Sequence, residues 1–494
     1  MTANSMTQDA SPGLHFRVPL VIRGRIIEDG MIRFGGRGGD ASFDTPDVKP
    51  HLARLAMTNP SDLKDLYAIS LDEIIAFLAT LGERLSLDRN PYVREAFELS
   101  CATSGLSRPI LQELYQVSLP ASFGRDVLEE IAEQNVGRAH LEGWVRTRLL
   151  DGRWVSIRAF GARAVHITAG NLPLTAAATV IRNALTRSDA IVKSPSNDPL
   201  TAAALARTMI EVDADHPVTR HFSTAYWRGG TADIEDHLYV PSNLEKIVAW
   251  GGLASVKHVT RYLQPGIDLI TLDPKHSSTI IGREAFESEP VMREVAARLA
   301  ADVGALNQEA CVNARVVYLQ CGTGSAGVER LNRFGAYLYE AMQALPERCS
   351  SPSKHMNQDL RGEIEALKLD DQWYRVIGGE GVEGAVIVSQ TDQPVDFARL
   401  LSGRVANLVP IDDLETAIRA TNAYTQTIGV YPDGLRKQIR DRLSLHGAQR
   451  LVSLGYATSF TIATPQDAIE PMRRMCRWIV EEECSPQEVA PPWR

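Results

Sequence analysis

The chain has 494 residues, a formal net charge of −9, 44% hydrophobic and 23% charged residues. That composition is globular and excludes wholesale disorder. The acidic balance argues against a nucleic-acid binder, whose phosphate contacts need surplus Lys and Arg. At about 150 residues per domain, the length predicts two large domains or three average ones, with enough core to need no disulfide or metal staple.

In chain order, residues 1–15 read as a flexible tail, polar through Gly13 and without the apolar core of a signal peptide. No run of 18 apolar residues occurs, so no membrane span is expected. Residues 16–34 predict short strands with a turn at Glu28-Asp29-Gly30, and the glycine-rich stretch 35–40 a mobile loop. From 61 to about 116 the pattern is helical. Ser70 and Glu73 form a capping box ahead of Ile74, Ile75, Phe77, Leu78 and Leu81 on one face. After about Trp154, strands and helices alternate: strand 164–168, loop 169–173, helix 174–186, strand 190–193, helix 199–212, strand 246–250, helix 253–262, strand 268–272. This rhythm predicts a parallel, doubly wound sheet. Asn171, Lys193 and Gly251 then fall at the carboxyl ends of strands, where ligands sit. A second series follows: helix 290–306, strand 315–319, helix 327–344, strands 384–389 and 404–410, helix 414–422. The fold class is therefore α/β with two Rossmann-like lobes, 16–280 (including the N-terminal helical region) and 281–455. A C-terminal segment, 456–494, ends in a proline-containing stretch expected on the surface.

The six cysteines, Cys101, Cys311, Cys321, Cys349, Cys476 and Cys484, form no CxxC pair. Scattered reduced thiols suit a cytoplasmic protein better than a secreted one. Cys321 and Cys476 lie in apolar segments, Cys349 and Cys484 in polar ones. Cys311 sits between a long helix and a strand at the start of the second lobe, a place where a thiolate nucleophile is reachable. Asn171 is either turn chemistry or an oxyanion donor. Lys193 is either a solvated lysine or a ribose or phosphate ligand. Taken singly, none of these outweighs an ordinary structural role. Gly322-Thr323-Gly324-Ser325-Ala326-Gly327 matches GxGxxG, but no strand ending in Asp or Glu follows at the spacing a dinucleotide fingerprint needs. It reads as a tight turn and helix cap. Asp213, Asp215, His216 and His221 fit no zinc spacing and are assigned to the surface; no metal site is expected.

Four segments taken in order shift these odds: 166–173 (His-Ile-Thr-Ala-Gly-Asn-Leu-Pro), 191–196 (Ile-Val-Lys-Ser-Pro-Ser), 248–252 (Val-Ala-Trp-Gly-Gly) and 307–311 (Asn-Gln-Glu-Ala-Cys). Together they resemble the aldehyde dehydrogenase superfamily and, more closely, its acyl-CoA reductase (LuxC-type) branch. Segments 425–430, 447–450 and 465–483 resemble that branch's closing part, so the likeness covers roughly 16–483. The resemblance implies a cofactor lobe followed by a catalytic lobe. It implies Cys311 as the acyl-accepting nucleophile, and Asn171 with the Cys311 backbone N–H as the oxyanion hole. Lys193 would touch the adenosine ribose or its phosphate, Ser196 would lie beside it, and Gly251 and Gly252 would stand where backbone meets pyrophosphate. It also implies a homo-oligomer and an acyl-activating synthetase partner.

Departures from the family pattern sharpen the expectation. Hydrolytic members carry a Glu base in a Glu-Leu-Gly-Gly-Lys segment; the matching stretch here, 271–277 (Thr-Leu-Asp-Pro-Lys-His-Ser), has none, and Asp273 is a poor substitute. Without a base to activate water, an acyl-enzyme resists hydrolysis, which suits exchange with thiols. Many NAD-dependent members have Glu where this chain has Ser196, and a carboxylate there would repel a 2′-phosphate. NADPH is therefore favoured, with NADH as the alternative. Pro465-Gln466-Asp467-Ala468 stands where the branch usually has Pro-His-Asp-Gly. The expected function is reduction of an acyl thioester, from acyl-CoA or an acyl-carrier protein, to the aldehyde. The alternatives are NAD(P)-dependent aldehyde oxidation, or a non-catalytic acyl-binding subunit of a multi-enzyme complex.

Overall fold

Strand Arg163–Ile167 is buried along its whole length and lies in the interior of the first sheet. In the computed structural model, residues 14–35, 41–485, 487 and 493 are described; residues 1–13, most of the glycine-rich stretch and most of 486–494 lie outside them, while the last two residues of the expected tail, 14 and 15, already belong to strand Leu14–Arg17, held by pairing with Ala41–Pro46. Continuous apolar runs such as Ala164-Val165 and Ile247-Val248-Ala249 suit strands covered on both faces. Across the sheet the order is Asp268–Leu272, Lys246–Trp250, Arg163–Ile167, Asp189–Lys193 and Phe222–Ala225, all parallel. Leu20–Ile22 and Arg25–Ile27 add an antiparallel edge. The chain winds outward from Arg163–Ile167 in one direction, then returns to place Lys246–Trp250 on its other side. That reversal opens a crevice at the strand ends carrying Asn171 and Gly251.

Helix Leu174–Leu185 is buried from Thr175 onward because the sheet covers one face and the N-terminal helices the other. Helix Leu71–Arg84 starts at Ser70, whose hydroxyl accepts from the Glu73 N–H at 3.1 Å, and turns Ile74, Ile75, Leu78 and Leu81 inward.

The chain passes to the second sheet between Leu272 and His276. Its order is Tyr374–Gly378, Ala385–Ser389, Val405–Pro410, Ala314–Leu319, His276–Ile281, Thr425–Tyr431, Arg450–Ser453, parallel except at the first pair. Strand His276–Ile281 has no counterpart in the sequence reading, because Ser277, Ser278 and Thr279 break the apolar run. Trp154–Phe160 belongs to neither large sheet: it pairs antiparallel with Val145–Arg148 and with Arg477–Glu483, far along the chain.

The surface assignment of His221 is corrected. Its ring is buried, with Nδ1 3.1 Å from Asp189 and Nε2 2.7 Å from Asp65, and Arg23 Nη2 donates to the same Asp189 at 2.9 Å. The group is an internal ion cluster joining the edge strands to the sheet. Asp213 and Asp215 are exposed, and His216 caps a short helix by accepting from the Val218 N–H. The GxGxxG stretch is a turn: Gly322 has φ +88°, and a Cβ at Gly327 would stand 2.1 Å from the Gly322 carbonyl oxygen.

Candidate active site

Cys311 lies in the connection between helix Glu289–Gly304 and strand Ala314–Leu319. Just before it, Leu306, Asn307 and Gln308 have φ of 55°, 51° and 63°. Left-handed backbone at residues other than Gly costs roughly 1–2 kcal/mol each and persists only where the surroundings impose it. They do. Gln308 Nε2 donates to the carbonyls of Ala314 (2.8 Å) and Val405 (2.9 Å), and its Oε1 accepts from the Val405 N–H at 2.8 Å. Asn307 Oδ1 accepts from the Ser351 N–H at 2.9 Å. Gln308 therefore braces the loop against the sheet. Past it, Asn313 Oδ1 accepts from the Ala310 N–H at 3.1 Å, and the Cys311 carbonyl accepts from Ser277 Oγ at 2.7 Å. The nucleophile candidate is thus held at both ends.

Asn171 comes from the first sheet. Gly170 is required there by a close approach: a Cβ would stand 2.2 Å from Asn197 Oδ1, and Asn197 Nδ2 donates to the Gly170 carbonyl at 2.8 Å. Asn171 Nδ2 donates at 3.3 Å to the carbonyl of Glu309, two residues before Cys311. The two side chains line one cavity of about 450 Å³. Its wall is largely apolar, with Val127, Ile131, Ala178, Ile181, Trp250 and Phe460; its polar lining includes Gln426, Gln466, Asp467 and Arg450. Burial pushes the Cys311 thiol up, the Asp467 carboxylate adds to that, and a hydrogen bond from Gln426 opposes it. Cys321 and Cys476 are buried in apolar surroundings that push their thiols up to about 12, and Cys101 is pushed up to about 11.

Asp467, Gln426 and Arg182 carry side chains at this site that the sequence reading did not single out as functional. Asp467 and Ala468 both have positive φ (54° and 60°), and Gln466 and Ile469 exchange backbone hydrogen bonds at 2.9 and 3.0 Å. This is the geometry of a type I′ turn, which favours Gly, Asn or Asp at its centre. Gln426 Nε2 donates to Asp467 Oδ1 at 2.6 Å, and Arg182 Nη2 to Gln466 Oε1 at 2.7 Å. Ala468 stands at a position where glycine is unstrained. Ala468→Gly is expected to raise stability by about 1 kcal/mol, read as a higher denaturant midpoint at unchanged slope.

Lys193 and Ser196 share a second cavity of about 500 Å³ with Phe34, Tyr226, Trp227 and Arg228. Burial lowers the Lys193 ammonium, while Glu235 opposes the shift; its Nζ lies 5.6 Å from the Trp227 ring centroid. Glu235 also holds this rim, accepting from Trp227 Nε1 (3.3 Å) and the Gly230 N–H (3.1 Å) and lying 2.6 Å from His258 Nε2. Gly251 and Gly252 follow Trp250, with Gly252 capping helix Leu253–Val259. A Cβ at Gly252 would meet nothing within 4 Å, and at Gly251 only Ser255 at 3.7 Å, so the fold itself does not demand glycine at either place. Among the described residues no group of three His, Cys, Asp or Glu is arranged to hold a metal ion, and no helix is long and apolar enough to cross a membrane.

Residues 66–478 match the family model "Acyl-CoA reductase (LuxC)". A long-chain acyl-protein thioester reductase of Vibrio harveyi is 26% identical over 477 residues, covering 94% of this chain and 93% of that protein. The protein of the same name from Photorhabdus luminescens is 28% identical over 462 residues, covering 90% and 88%. Among solved structures, lactaldehyde dehydrogenase from Escherichia coli superposes with a TM-score of 0.69 at 16% identity, covering 96% of this chain and all of the other. An aldehyde dehydrogenase of Mycobacterium tuberculosis complexed with NAD+ gives 0.69 at 15%, covering 95% and 98%. The fold is that of the aldehyde dehydrogenases. With its matched residues spanning both large sheets and the cavity between Asn171 and Cys311, the chain belongs to the acyl-CoA reductase (LuxC) family of oxidoreductases.

Proposed function

We propose that the protein reduces an acyl thioester to the aldehyde through a cysteinyl acyl-enzyme on Cys311, with NADPH as the reductant. The observation that carries this reading is the pairing of Cys311 with the Asn171 amide in a cavity whose wall is otherwise largely apolar. An alkyl chain gains from burial against Val127, Ile131, Ala178, Ile181 and Phe460, while its thioester carbon reaches the polar groups. The matched relatives are named for thioester reduction, which supports the same class of substrate.

The residues present fit a nicotinamide dinucleotide. Open space in front of Gly252 and Gly229 leaves backbone N–H groups approachable by a pyrophosphate, and the second cavity offers Lys193 and Ser196 to a ribose. When bound, the nicotinamide supplies the hydride that converts the cysteinyl thioester to a thiohemiacetal. The chain's own residues do the rest. The Cys311 thiolate attacks the acyl carbon, the Asn171 amide donates to the oxyanion, and the carrier thiol, CoA or a protein thiol, departs. Collapse of the thiohemiacetal frees the aldehyde and returns the thiolate.

Ser196 and the exposed Arg228 on the same cavity favour a 2′-phosphate over a bare ribose. Arg228→Ala is expected to raise KM for NADPH on the order of tenfold or more while leaving KM for NADH nearly unchanged, measured by initial rates with each nucleotide. The reading as a whole is tested by intact-mass analysis after incubation with a panel of acyl thioesters and no nicotinamide. An acyl adduct mapped to Cys311 is expected. Absence of any adduct, or oxidised-nucleotide-dependent acid formation faster than thioester reduction, would sink it.

A further inference from the structure

We propose that Asp467 is the acid–base group of this site, taking the proton of the Cys311 thiol during attack and returning it to the departing carrier thiol. The inference rests on the acyl-enzyme reading above and adds the proton path that reading leaves open.

Three observations converge on Asp467. Its carboxyl and the Cys311 thiol line the same cavity. The Gln426 side chain, 5% exposed, links the two: it donates to Asp467 Oδ1 at 2.6 Å and favours the thiolate of Cys311. The turn that presents Asp467 holds two consecutive residues in left-handed backbone, one of them Ala468. Strain of this kind is retained where the surrounding structure fixes a group in place. Asp273, the carboxylate nearest in sequence to the family's usual base, instead sits 3.9 Å from Lys275.

Electrostatics tie the thiol to the carboxylate. Burial raises the Asp467 carboxyl, Gln426, Lys275 and Arg182 oppose the rise, and Asp273 adds to it. Burial also raises the thiol, and the Asp467 charge raises it further. Facing the pair are Lys275 and Asp273 ahead of strand His276–Ile281, Arg182 on helix Leu174–Leu185, Arg315 on strand Ala314–Leu319 and Arg450 on strand Arg450–Ser453. Burial and the neighbouring carboxylate both disfavour the thiolate, so loss of the thiol proton calls for a nearby acceptor. Asp467, on the same cavity, is placed to be that acceptor. The step balances without any other reactant: the S–H bond of Cys311 breaks as an O–H bond forms on Asp467, the new C–S bond forms, the old C–S bond breaks, and the proton passes to the departing sulfur.

The test is the rate of acyl-enzyme formation from a long-chain acyl-CoA without nicotinamide, followed by rapid-quench intact mass across about pH 5 to 9. A base must be ionised, so acylation of the unmodified protein is expected to fall as pH drops through the raised carboxyl pKa. Asp467→Asn is expected to slow acylation on the order of 10²–10³-fold at neutral pH and to lose that acid limb. Its remaining alkaline limb should move to lower pH, because the charge opposing the thiolate is gone. Asp467→Glu should keep the limb. Acylation of D467N at the unmodified rate, or with the acid limb retained, overturns the proposal. So does a longer-lived acyl-enzyme with unchanged formation, which would make Asp467 an activator of water instead. If D467N does not fold, the unmodified protein decides, since a profile with no acid limb overturns the proposal alone. No acylation of Cys311 at all would be a failure of the functional reading, distinct from any of these.

Discussion

Cys311→Ala is expected to leave no acyl adduct with any thioester and to lower thioester reduction on the order of 10⁴-fold or more. The size follows from the covalent role: removing a nucleophile removes the pathway, not one contribution along it. The structure makes this a clean experiment. The loop is fixed by Gln308, Asn313 and the Cys311 backbone carbonyl, none of which depends on the sulfur. Far-UV circular dichroism and the thermal midpoint should therefore barely change. A variant that still reduces thioesters at more than a few per cent of the normal rate would refute Cys311 as the acyl acceptor, since none of the other five cysteines lines the cavity.

Asn171→Ala is expected to lower the acylation rate on the order of 10²–10³-fold with KM for the thioester close to unchanged. An oxyanion donor acts where charge develops, so its loss is felt in the transition state and hardly in substrate binding. In the structure the amide makes a long 3.3 Å bond to the Glu309 carbonyl, and exchanging that bond for an anionic oxygen is favourable. A rise in KM matching the loss in kcat/KM, seen in steady-state rates, would mean that Asn171 only shapes the cavity.

Much of the first sheet is legible from sequence because its strands are short unbroken apolar runs followed by turn residues. Lys246–Trp250 and Asp268–Leu272 appear at the predicted bounds. Asn171 and Cys311 are legible as a pair only through the order of the four family-like segments; residue type alone leaves each an ordinary turn or core residue. What stayed hidden depends on partners far apart in the chain. His221 looks like a polar surface residue until Asp65 and Asp189 are brought to its two ring nitrogens. Gln308 looks like part of the catalytic motif, but its three hydrogen bonds end on strand backbone contributed in part by Val405. Asp467 is one acidic residue in a polar segment, and its meaning comes from Gln426 on a strand of the second sheet. Strand His276–Ile281 escaped because its hydroxyl residues hide the period that apolar residues reveal.

The wall of the cavity built by residues 458–467 bears on how the protein is made. Those residues follow both large sheets along the chain, and strand Arg477–Glu483 then ties the segment back to Trp154–Phe160. Since chains fold from the N-terminus as they emerge, the surroundings of residue 311 remain a half-open trough until that segment has followed. An acyl thioester reaching a nascent chain would meet neither a closed apolar wall nor the carboxylate of Asp467. The cavity is thereby completed only when residues 458–467 and the strand that ties them have folded back onto the rest of the chain.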